Sequence, residues 1–449
     1  MRLFPPTFEV SLDEGFSPER DLFGRAPIAA GLTKLIEKVD QPLVIGLDGD
    51  WGSGKTTFLR FWTGELRKGG FPVVFFDAFQ NDYADDAFIA LAGEVFALLE
   101  LEEKGTSATA RKFASKAVAA GKVLLRTSLK VGVKAATMGA LSSSDLAELA
   151  ETIGEESSDV FDASIGEMIT KQASNRSAIE EFKNALSRLP ALMSPPVEGE
   201  SQKPLVFIID ELDRCKPSFA LELLERVKHF FSVPNVHFVL GINSEQLINS
   251  VRAVYGVGID GRTYLQKFIH LTWTLSQRER YASDRARSKY TQYLLKSYDF
   301  KGQDYEVAEY AAKFAAAIAE QKSLSFRSIE RIMAVVSMSV ATTPENMKRI
   351  SPLIGGLAVM KTLDPTLFNK AKTGALYYDE ARAFLELDAL EEIEDESWDW
   401  AARWWQYATD KNASEELIQS FNRSSFMGVS RLDLVPYTAH TVLDDVTLR

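Results

Sequence analysis

The fold of this chain is decided by the stretch Gly46-Leu47-Asp48-Gly49-Asp50-Trp51-Gly52-Ser53-Gly54-Lys55-Thr56-Thr57. It contains the pattern G-x-x-x-x-G-K-T, which runs from Gly49 to Thr56. An apolar run at residues 42–47 precedes the pattern and predicts a strand, and residues 57–62 follow it and predict a helix. A glycine-rich loop in this order binds phosphate, because its backbone N–H groups and the N-terminus of the helix face the same anion.

The same pattern predicts which residues contact a nucleoside triphosphate and its magnesium ion. Lys55 reaches the β- and γ-phosphates in such loops, and the hydroxyl of Thr56 ligates Mg²⁺. Residues 21–25 lie just ahead of the first strand, where they are expected either to contact the base or to form a surface helix entry. The predicted nucleotide-binding residues are Gly49, Asp50, Trp51, Gly52, Ser53, Gly54, Lys55, Thr56, Thr57 and Arg25.

A second motif, Leu205-Val206-Phe207-Ile208-Ile209-Asp210-Glu211-Leu212-Asp213-Arg214, supplies acidic residues. Its five consecutive apolar residues predict a strand buried on both faces. Three carboxylates within four residues would repel one another unless a cation lies among them. We therefore expect Asp210 to bind magnesium and Glu211 to orient or deprotonate the attacking water, with Asp213 as the competing base.

Two polar residues further along the chain complete the predicted site. Asn243 follows the apolar run 236–242 and is expected to contact the γ-phosphate or the attacking water; the alternative is a cap on the helix that begins directly after it. Arg327 lies in the first turn of a predicted helix, where the helix dipole disfavours a cation, and this conflict predicts an anionic partner. That partner is a nucleotide phosphate reached from a lid or, alternatively, a surface carboxylate. The predicted catalytic residues are Glu211, Lys55, Asp213, Asn243 and Arg327.

With both motifs in place, the chain resembles the KAP family of P-loop NTPases. The resemblance rests on the phosphate-binding stretch with its internal tryptophan and on Ile209-Asp210-Glu211-Leu212-Asp213-Arg214-Cys215, and it extends over residues 15–345. Later blocks of the family match Gly241-Ile242-Asn243, Tyr264-Leu265-Gln266-Lys267 and Ser325-Phe326-Arg327-Ser328-Ile329-Glu330-Arg331. The resemblance implies an AAA-like or STAND-like ATPase that uses ATP and Mg²⁺. By analogy it also implies a setting in anti-phage defence or signalling.

The predicted fold class is α/β, a P-loop NTPase three-layer sandwich with a parallel sheet, a long helical insertion, a helical lid and a helical C-terminal region. Residues 1–276 are expected to form the core, interrupted by the helical insertion at 104–200. Residues 277–350 are expected to form the lid, and residues 351–449 the helical C-terminal region. Many KAP proteins carry membrane helices where this insertion lies, and its charged sequence departs from that pattern.

The composition indicates in which compartment the protein works and which classes of partner it can bind. The chain has 449 residues, a formal net charge of -12 and one cysteine, Cys215, so no internal disulfide can form and a cytoplasmic location is expected. The net charge argues against a broad nucleic-acid-binding surface. No uncharged apolar run reaches the roughly 20 residues of a membrane-spanning helix. A homo-oligomer and a protein partner of unknown identity are left open.

The basic segment, residues 111–134, carries seven lysine and arginine residues and no acidic residue. It predicts either contact with an anionic surface or a hairpin with the acidic stretch at 145–167; the surface would be nucleic acid or the inner face of a membrane. The hairpin is favoured, because runs of charge usually form solvated or mutually paired faces. The expected activity is ATP hydrolysis that drives a conformational switch. The alternative is an oligomeric mechanochemical ATPase that acts on DNA or protein.

Overall fold

The structure is a computed structural model, and it describes residues 10–84, 86–102, 111–121, 176–195, 202–275, 286–343, 347–391, 396–421 and 429–444. Most of the predicted insertion therefore lies outside the described residues. The same holds for residues 122–134 of the basic segment and for the acidic stretch at 145–167. The hairpin predicted between these two segments consequently stays a prediction.

Five parallel strands form one sheet in the spatial order β2-β3-β4-β1-β5. The strands are β1 (Leu43–Asp48), β2 (Val73–Asp77), β3 (Leu205–Asp210), β4 (Val236–Ile242) and β5 (Leu271–Thr274). The side chains of β3 and β4 are buried along their whole length, as expected for parallel strands covered on both faces. Because β4 pairs with both β1 and β3, the loops that follow these three strands lie side by side at one edge of the sheet.

Helices cover both faces of this sheet. One face carries α1 (Ala26–Lys38) and α2 (Lys55–Lys68), which bury Ile36, Phe58 and Trp62 against alternate strand residues such as Val206. The opposite face is covered by a larger set of helices: α3 (Ala87–Glu102), α4 (111–121), α5 (176–187), α6 (Leu189–Met193), α7 (Pro217–Arg226), α8 (Ser244–Tyr255) and α9 (Gly261–Leu265). A π-helical turn at Val227–Phe231 follows α7. The result is the three-layer α/β arrangement of a P-loop NTPase, which confirms the predicted fold class.

Two short helices of the insertion that the structure describes pack against each other. Phe113 of α4 lies 5.5 Å from Phe182 of α5, measured between ring centroids. Lys116 of α4 forms an ion pair with Glu181 of α5. The described part of the basic segment thus directs one of its cations to a carboxylate of the same chain.

The residues that the structure describes between 286 and 444 are mostly helical and share one hydrophobic core. They contain α10 (Ala286–Ser297), α11 (Gly302–Gln321), α12 (Phe326–Thr342), α13 (Ser351–Leu363), α14 (Pro365–Lys372), α15 (Tyr378–Leu385), α16 (Leu387–Glu391), α17 (Glu396–Thr409), α18 (Glu415–Phe421) and α19 (Leu434–Tyr437). Short turns at Arg431–Asp433 and Thr438–Val442 flank α19. The core runs from Tyr290 to Leu443, so the segments predicted as lid and as C-terminal region bury their apolar side chains together. Within the described residues, no helix combines the length and apolarity needed to span a membrane.

Candidate functional site

The phosphate loop, residues 49–56, connects β1 to α2 and turns sharply at two glycines. Gly52 and Gly54 have φ values of 79° and 85°, a left-handed conformation that residues with a Cβ atom rarely adopt. A Cβ atom at Gly52 would lie 2.8 Å from the Cβ of Arg327, and one at Gly54 would lie 3.0 Å from Nη1 of Arg25. The loop is therefore contacted closely from two sides, and its curvature depends on glycine at both turns.

Lys55 is buried within the loop. Its ammonium group donates to the carbonyl oxygen of Gly49 and, at 3.1 Å, to that of Asp50. Burial lowers the pKa of Lys55, and the carboxylates of Asp213, Asp210 and Asp48 oppose this shift. The cation is thus held beside the loop by carbonyl oxygens, which a phosphate oxygen can replace.

Ser53 gives an independent indication that the loop fits an anion. Its side chain is 1% exposed, and its hydroxyl oxygen has no hydrogen-bond partner among the described residues. A buried polar group without a partner costs free energy unless a ligand or water completes it. Ser53 and the N-terminus of α2 therefore provide donors that suit phosphate.

Asp210 ends β3 and is 2% exposed. The hydroxyl of Thr56 donates to its carboxylate, and the backbone N–H of Glu211 donates to Oδ1 at 2.9 Å. Burial raises the pKa of Asp210 to about 6, and the nearby carboxylates of Glu211 and Asp77 add to this shift. The site therefore brings together the two predicted magnesium ligands, a threonine hydroxyl and an aspartate from the two separate motifs.

The Thr56 hydroxyl and the Asp210 carboxylate suit Mg²⁺ better than they suit a metal ion whose ligands all come from the protein. Among the described residues, no group of three or more His, Cys, Asp or Glu side chains is arranged to hold a metal ion. Mg²⁺ is typically bound by one or two carboxylates together with substrate phosphates and water. The Thr56–Asp210 pair suits that mode of binding.

Glu211 follows Asp210 in a strained backbone conformation, with φ of 59°. Its carboxylate pairs with the guanidinium of Arg214 at 2.7 Å. Burial raises the pKa of Glu211, and the positive charges of Arg214 and Arg327 oppose the shift. The predicted general base thus lies at the phosphate-loop edge of the sheet with an arginine bound to it.

Asp213, the competing base, has a different partner. Its side chain is buried, and its carboxylate accepts a hydrogen bond from the indole N–H of Trp51 in the phosphate loop. Sequence reasoning assigned both residues to the site and missed the contact between them. The tryptophan inside the loop was the only signal in the sequence that could have suggested it.

Asn243 follows β4, between the phosphate loop and the acidic residues. Its amide oxygen accepts from the backbone N–H groups of Glu245 and Gln246 at 3.1 and 3.2 Å, so the helix-capping alternative is present. The cap uses the oxygen of the amide. The amide nitrogen can still donate a hydrogen bond to a phosphate or a water molecule. Capping and contact with the γ-phosphate are therefore compatible.

Helix α12, in the segment predicted as the lid, begins directly on the phosphate loop. The backbone N–H of Phe326 donates to the carbonyl oxygen of Gly52 at 3.0 Å, and Ser325 caps the helix through the N–H of Ser328. This hydrogen bond lies next to Arg327, which therefore reaches the loop from the lid. Sequence reasoning selected Arg327 from its conflict with the helix dipole and could not locate the backbone contact.

A cavity of about 230 Å³ opens between the loop, the segment at residues 16–25 and helices α10 and α12. Phe23 stacks on Phe326 with ring centroids 4.1 Å apart, and Tyr290 packs edge-on against Phe326 at 5.2 Å. Arg25 donates to the carbonyl oxygen of Ser53 at 3.0 Å, so it supports the loop from beneath. The sequence indicated residues 21–25 but gave no sign of the aromatic wall that Tyr290 and Phe326 contribute.

Of the comparisons with known proteins, the match to a family model agrees with the sequence motifs. The chain is similar to a solved structure of the Aeropyrum pernix ORC2 protein, determined as ADPNP–ADP complexes, with 12% identity over 96% of this chain and 97% of that chain and a TM-score of 0.36. That similarity is too low to support an inference about this chain. No curated protein sequence matches the chain significantly. Residues 25–354, most of the chain, match the KAP family P-loop domain. The chain therefore belongs to the KAP family of P-loop NTPases.

Proposed function

We propose that this KAP P-loop NTPase binds ATP with Mg²⁺, hydrolyses it, and uses the cycle as a conformational switch. One observation carries the proposal: a phosphate loop, a magnesium ligand pair and a candidate base from separate parts of the chain converge at one edge of the sheet. The lid helix reaches the same edge. A site built only to stabilise the fold would not bury Lys55, Asp210 and Asp213 together, because burying charges is costly.

The phosphate loop binds the β- and γ-phosphates through its backbone N–H groups and the hydroxyl of Ser53. Lys55 exchanges the carbonyl oxygens of Gly49 and Asp50 for phosphate oxygens. Thr56 and Asp210 would hold Mg²⁺, which neutralises phosphate charge when it is bound. Their existing hydrogen bond keeps both ligands at the same point of the site.

Glu211 accepts the proton of the attacking water. The pairing with Arg214 at 2.7 Å stabilises the ionised carboxylate, so Glu211 becomes a stronger base when the two separate. We propose that the γ-phosphate draws Arg214 or Arg327 toward itself, in cis or across a subunit interface of a homo-oligomer. Asn243 donates its amide N–H to the γ-phosphate and thereby reports its presence.

The nucleobase of ATP occupies the aromatic cavity beside the loop. Phe23, Tyr290 and Phe326 line this cavity and give it an aromatic surface against which a nucleobase can pack. Arg25 contributes by holding the loop carbonyls, with its guanidinium 5.0 Å from the centre of the Phe23 ring. Adenine is the expected base because the family resemblance implies an ATPase.

The switch is transmitted through the lid. We propose that residues 1–276, interrupted by 104–200, act as the core, that residues 277–350 act as the lid and that residues 351–449 respond to it. The hydrogen bond from Phe326 to Gly52 supports this order of events, since any change in loop conformation acts on the start of α12. A role in anti-phage defence or signalling follows from the family analogy alone, whereas the proposed cytoplasmic location rests on the single cysteine.

The experiment is phosphate release from ATP with Mg²⁺ by the wild type, Lys55→Ala and Glu211→Gln, with molecular mass measured in parallel. We expect turnover by the wild type, loss of binding in Lys55→Ala, and ATP binding without hydrolysis in Glu211→Gln. A wild type that neither binds nor hydrolyses ATP would contradict the proposal. Turnover stimulated by DNA, together with nucleotide-dependent oligomers, would favour the mechanochemical alternative.

A further inference from the structure

Trp51 and Asp213 form a contact that the proposed catalytic steps do not use. The two residues are 162 positions apart in the chain, and the indole N–H of Trp51 donates to Oδ2 of Asp213. Trp51 is 44% exposed, whereas Asp213 is 8% exposed. A tryptophan placed only for hydrophobic burial would be covered more completely. Its hydrogen bond thus links a partly exposed side chain of the phosphate loop to a buried carboxylate of the acidic turn.

The chemistry of the pair suits a structural link between the two motifs. An indole N–H is a donor only and carries no charge, so it can stabilise the Asp213 carboxylate without adding a cation to the site. Hydrogen bonds to charged groups are roughly twice as strong as those between neutral groups. Trp51 belongs to the phosphate loop, and Asp213 belongs to the short 3-10 turn Leu212–Arg214 that follows β3. The contact thus ties the tip of the loop to the acidic turn.

The same contact separates the roles of the two candidate bases. Glu211 pairs with a side chain of its own turn, Arg214, and a movement of that arginine would release its carboxylate. Asp213 is bound to the phosphate loop itself, and its negative charge also opposes the lowering of the pKa of Lys55. If Asp213 took a proton from water during turnover, it would lose the acceptor charge that holds Trp51 in place.

We propose that Asp213 is a positioning residue: through Trp51 it holds the tip of the phosphate loop in the conformation that binds phosphate, and Glu211 is the base. This inference rests on the proposed ATPase function and deepens it. Its consequence is that losing the contact weakens nucleotide binding and leaves the chemical step largely intact.

Three substitutions test the proposal in the full-length chain. Trp51→Phe removes the donor and keeps an aromatic ring, and Asp213→Leu removes the acceptor. Asp213→Asn keeps an acceptor oxygen for the indole but cannot act as a base. For each variant and for the Trp51→Phe/Asp213→Leu double variant, we would measure kcat and KM for ATP and the Kd for ADP. Circular dichroism and the thermal unfolding midpoint check the fold.

We expect Trp51→Phe and Asp213→Leu each to raise KM and the Kd for ADP by about tenfold, the loss of one charge-assisted hydrogen bond, with kcat changed less than threefold. The double variant should be no worse than either single variant, because both remove the same contact. Asp213→Asn should lie between Asp213→Leu and the wild type, which is rescue by the conservative variant.

Two results would overturn this proposal and leave the proposed ATPase function standing. One is a hundredfold or larger fall in kcat in Asp213→Asn with an unchanged Kd for ADP, which would make Asp213 the base. The other is a Trp51→Phe variant whose KM and Kd equal those of the wild type, which would leave the contact without a role. Failure of the wild type to bind ADP or ATP would instead overturn the proposed function, and this proposal with it.

Discussion

The carboxyl edge of the sheet buries charged side chains, whereas the core of the helical region buries apolar ones. At the edge, charged side chains are buried and held by a few hydrogen bonds each, as Lys55, Asp210 and Asp213 are. In the helical region, residues 286–444, apolar side chains from Tyr290 to Leu443 form one continuous core. Burial shifts the pKa of Lys55 downward and that of Asp210 upward, so each charge is less favourable in the fold than in water.

The two regions are therefore expected to contribute differently to stability and to ligand binding. The strained backbone at Glu211 and the buried hydroxyl of Ser53 cost free energy in the absence of ligand, and a phosphate would recover part of that cost. The helical region has features of both kinds as well, such as the positive φ of Ser323 and the buried hydroxyl of Tyr298, but its core consists of packed apolar side chains. Substitutions in the helical core should therefore change stability, and substitutions at the edge should change ligand binding and turnover.

The largest expected effect on stability is at Trp405. Its side chain is fully buried in the helical core, and its indole N–H donates to the carbonyl oxygen of Pro352 at 3.2 Å. We expect Trp405→Ala to lower the free energy of unfolding by about 3–5 kcal/mol, as other large-to-small core substitutions do. Urea denaturation measures this change.

Trp400→Ala is the matched control, because Trp400 lies on the same helix and is 44% exposed. Its expected loss is smaller, about 1 kcal/mol or less. Equal losses for Trp400→Ala and Trp405→Ala would break the distinction between core and surface on this helix.

The next prediction compares one added methyl group in each region. A Cβ atom at Gly356 would lie 2.5 Å from Cζ2 of Trp405, and one at Gly241 would lie 2.6 Å from Oδ1 of Asp210. Overpacking of this kind typically costs about 1–3 kcal/mol, so both Gly→Ala variants should be less stable than the wild type. Only Gly241→Ala displaces Asp210, the residue that we propose as a magnesium ligand.

We therefore expect Gly241→Ala to lower Mg²⁺-dependent ATP turnover by about tenfold or more, since small displacements of positioning groups have large effects on rate. Gly356→Ala should keep the turnover of the wild type at a temperature where both are folded. Turnover assays and unfolding curves on the same samples provide the comparison. A variant pair with equal turnover would show that the Asp210 position tolerates displacement.

The smallest predicted effect concerns pH and His237, which is fully buried in β4. Burial lowers the pKa of His237, and the backbone carbonyls of Ile36 and Val39 with the carboxylate of Asp40 only partly oppose this shift. Above the ordinary value of about 6.5, the imidazole is neutral in both the folded and unfolded states. As the pH falls below that value, the unfolded chain binds a proton that the folded chain does not.

Stability should therefore fall as the pH decreases from 6.5 toward the lower folded pKa, with a slope of at most about 1.4 kcal/mol per pH unit. His237→Phe should remove this component and keep the contributions of the carboxylates. Urea midpoints of the wild type and His237→Phe between pH 5 and pH 7.5 measure the difference. A difference that does not vary with pH would show that His237 does not titrate in this way.

Local patterns in the sequence predicted a large part of this architecture. The strand, loop and helix around Lys55 and the buried strand that ends at Asp210 are encoded by residues adjacent in the chain. The apolar run before Asn243 also became a strand, β4. These predictions succeeded because hydrophobic patterning and glycine placement act over a few residues.

Contacts between distant residues could not be predicted in the same way. The position of β4 between β1 and β3, the bond from Trp51 to Asp213 and the contact of Phe326 with Gly52 all depend on the assembled fold. No local pattern specifies which strand lies beside which, or which helix end meets the loop. The roles of Glu211, Asn243 and Arg327 follow from such contacts, and they stay predictions about the site.

The central claim is that the buried charges at the sheet edge form a nucleotide site. The direct measurement is calorimetric titration of the wild type and Lys55→Ala with ATP in the presence of Mg²⁺, with unfolding curves for both proteins. We expect one binding site per chain in the wild type and binding at least tenfold weaker in a folded Lys55→Ala variant. A wild type that does not bind ATP, or a Lys55→Ala variant that binds it equally well, would contradict the claim.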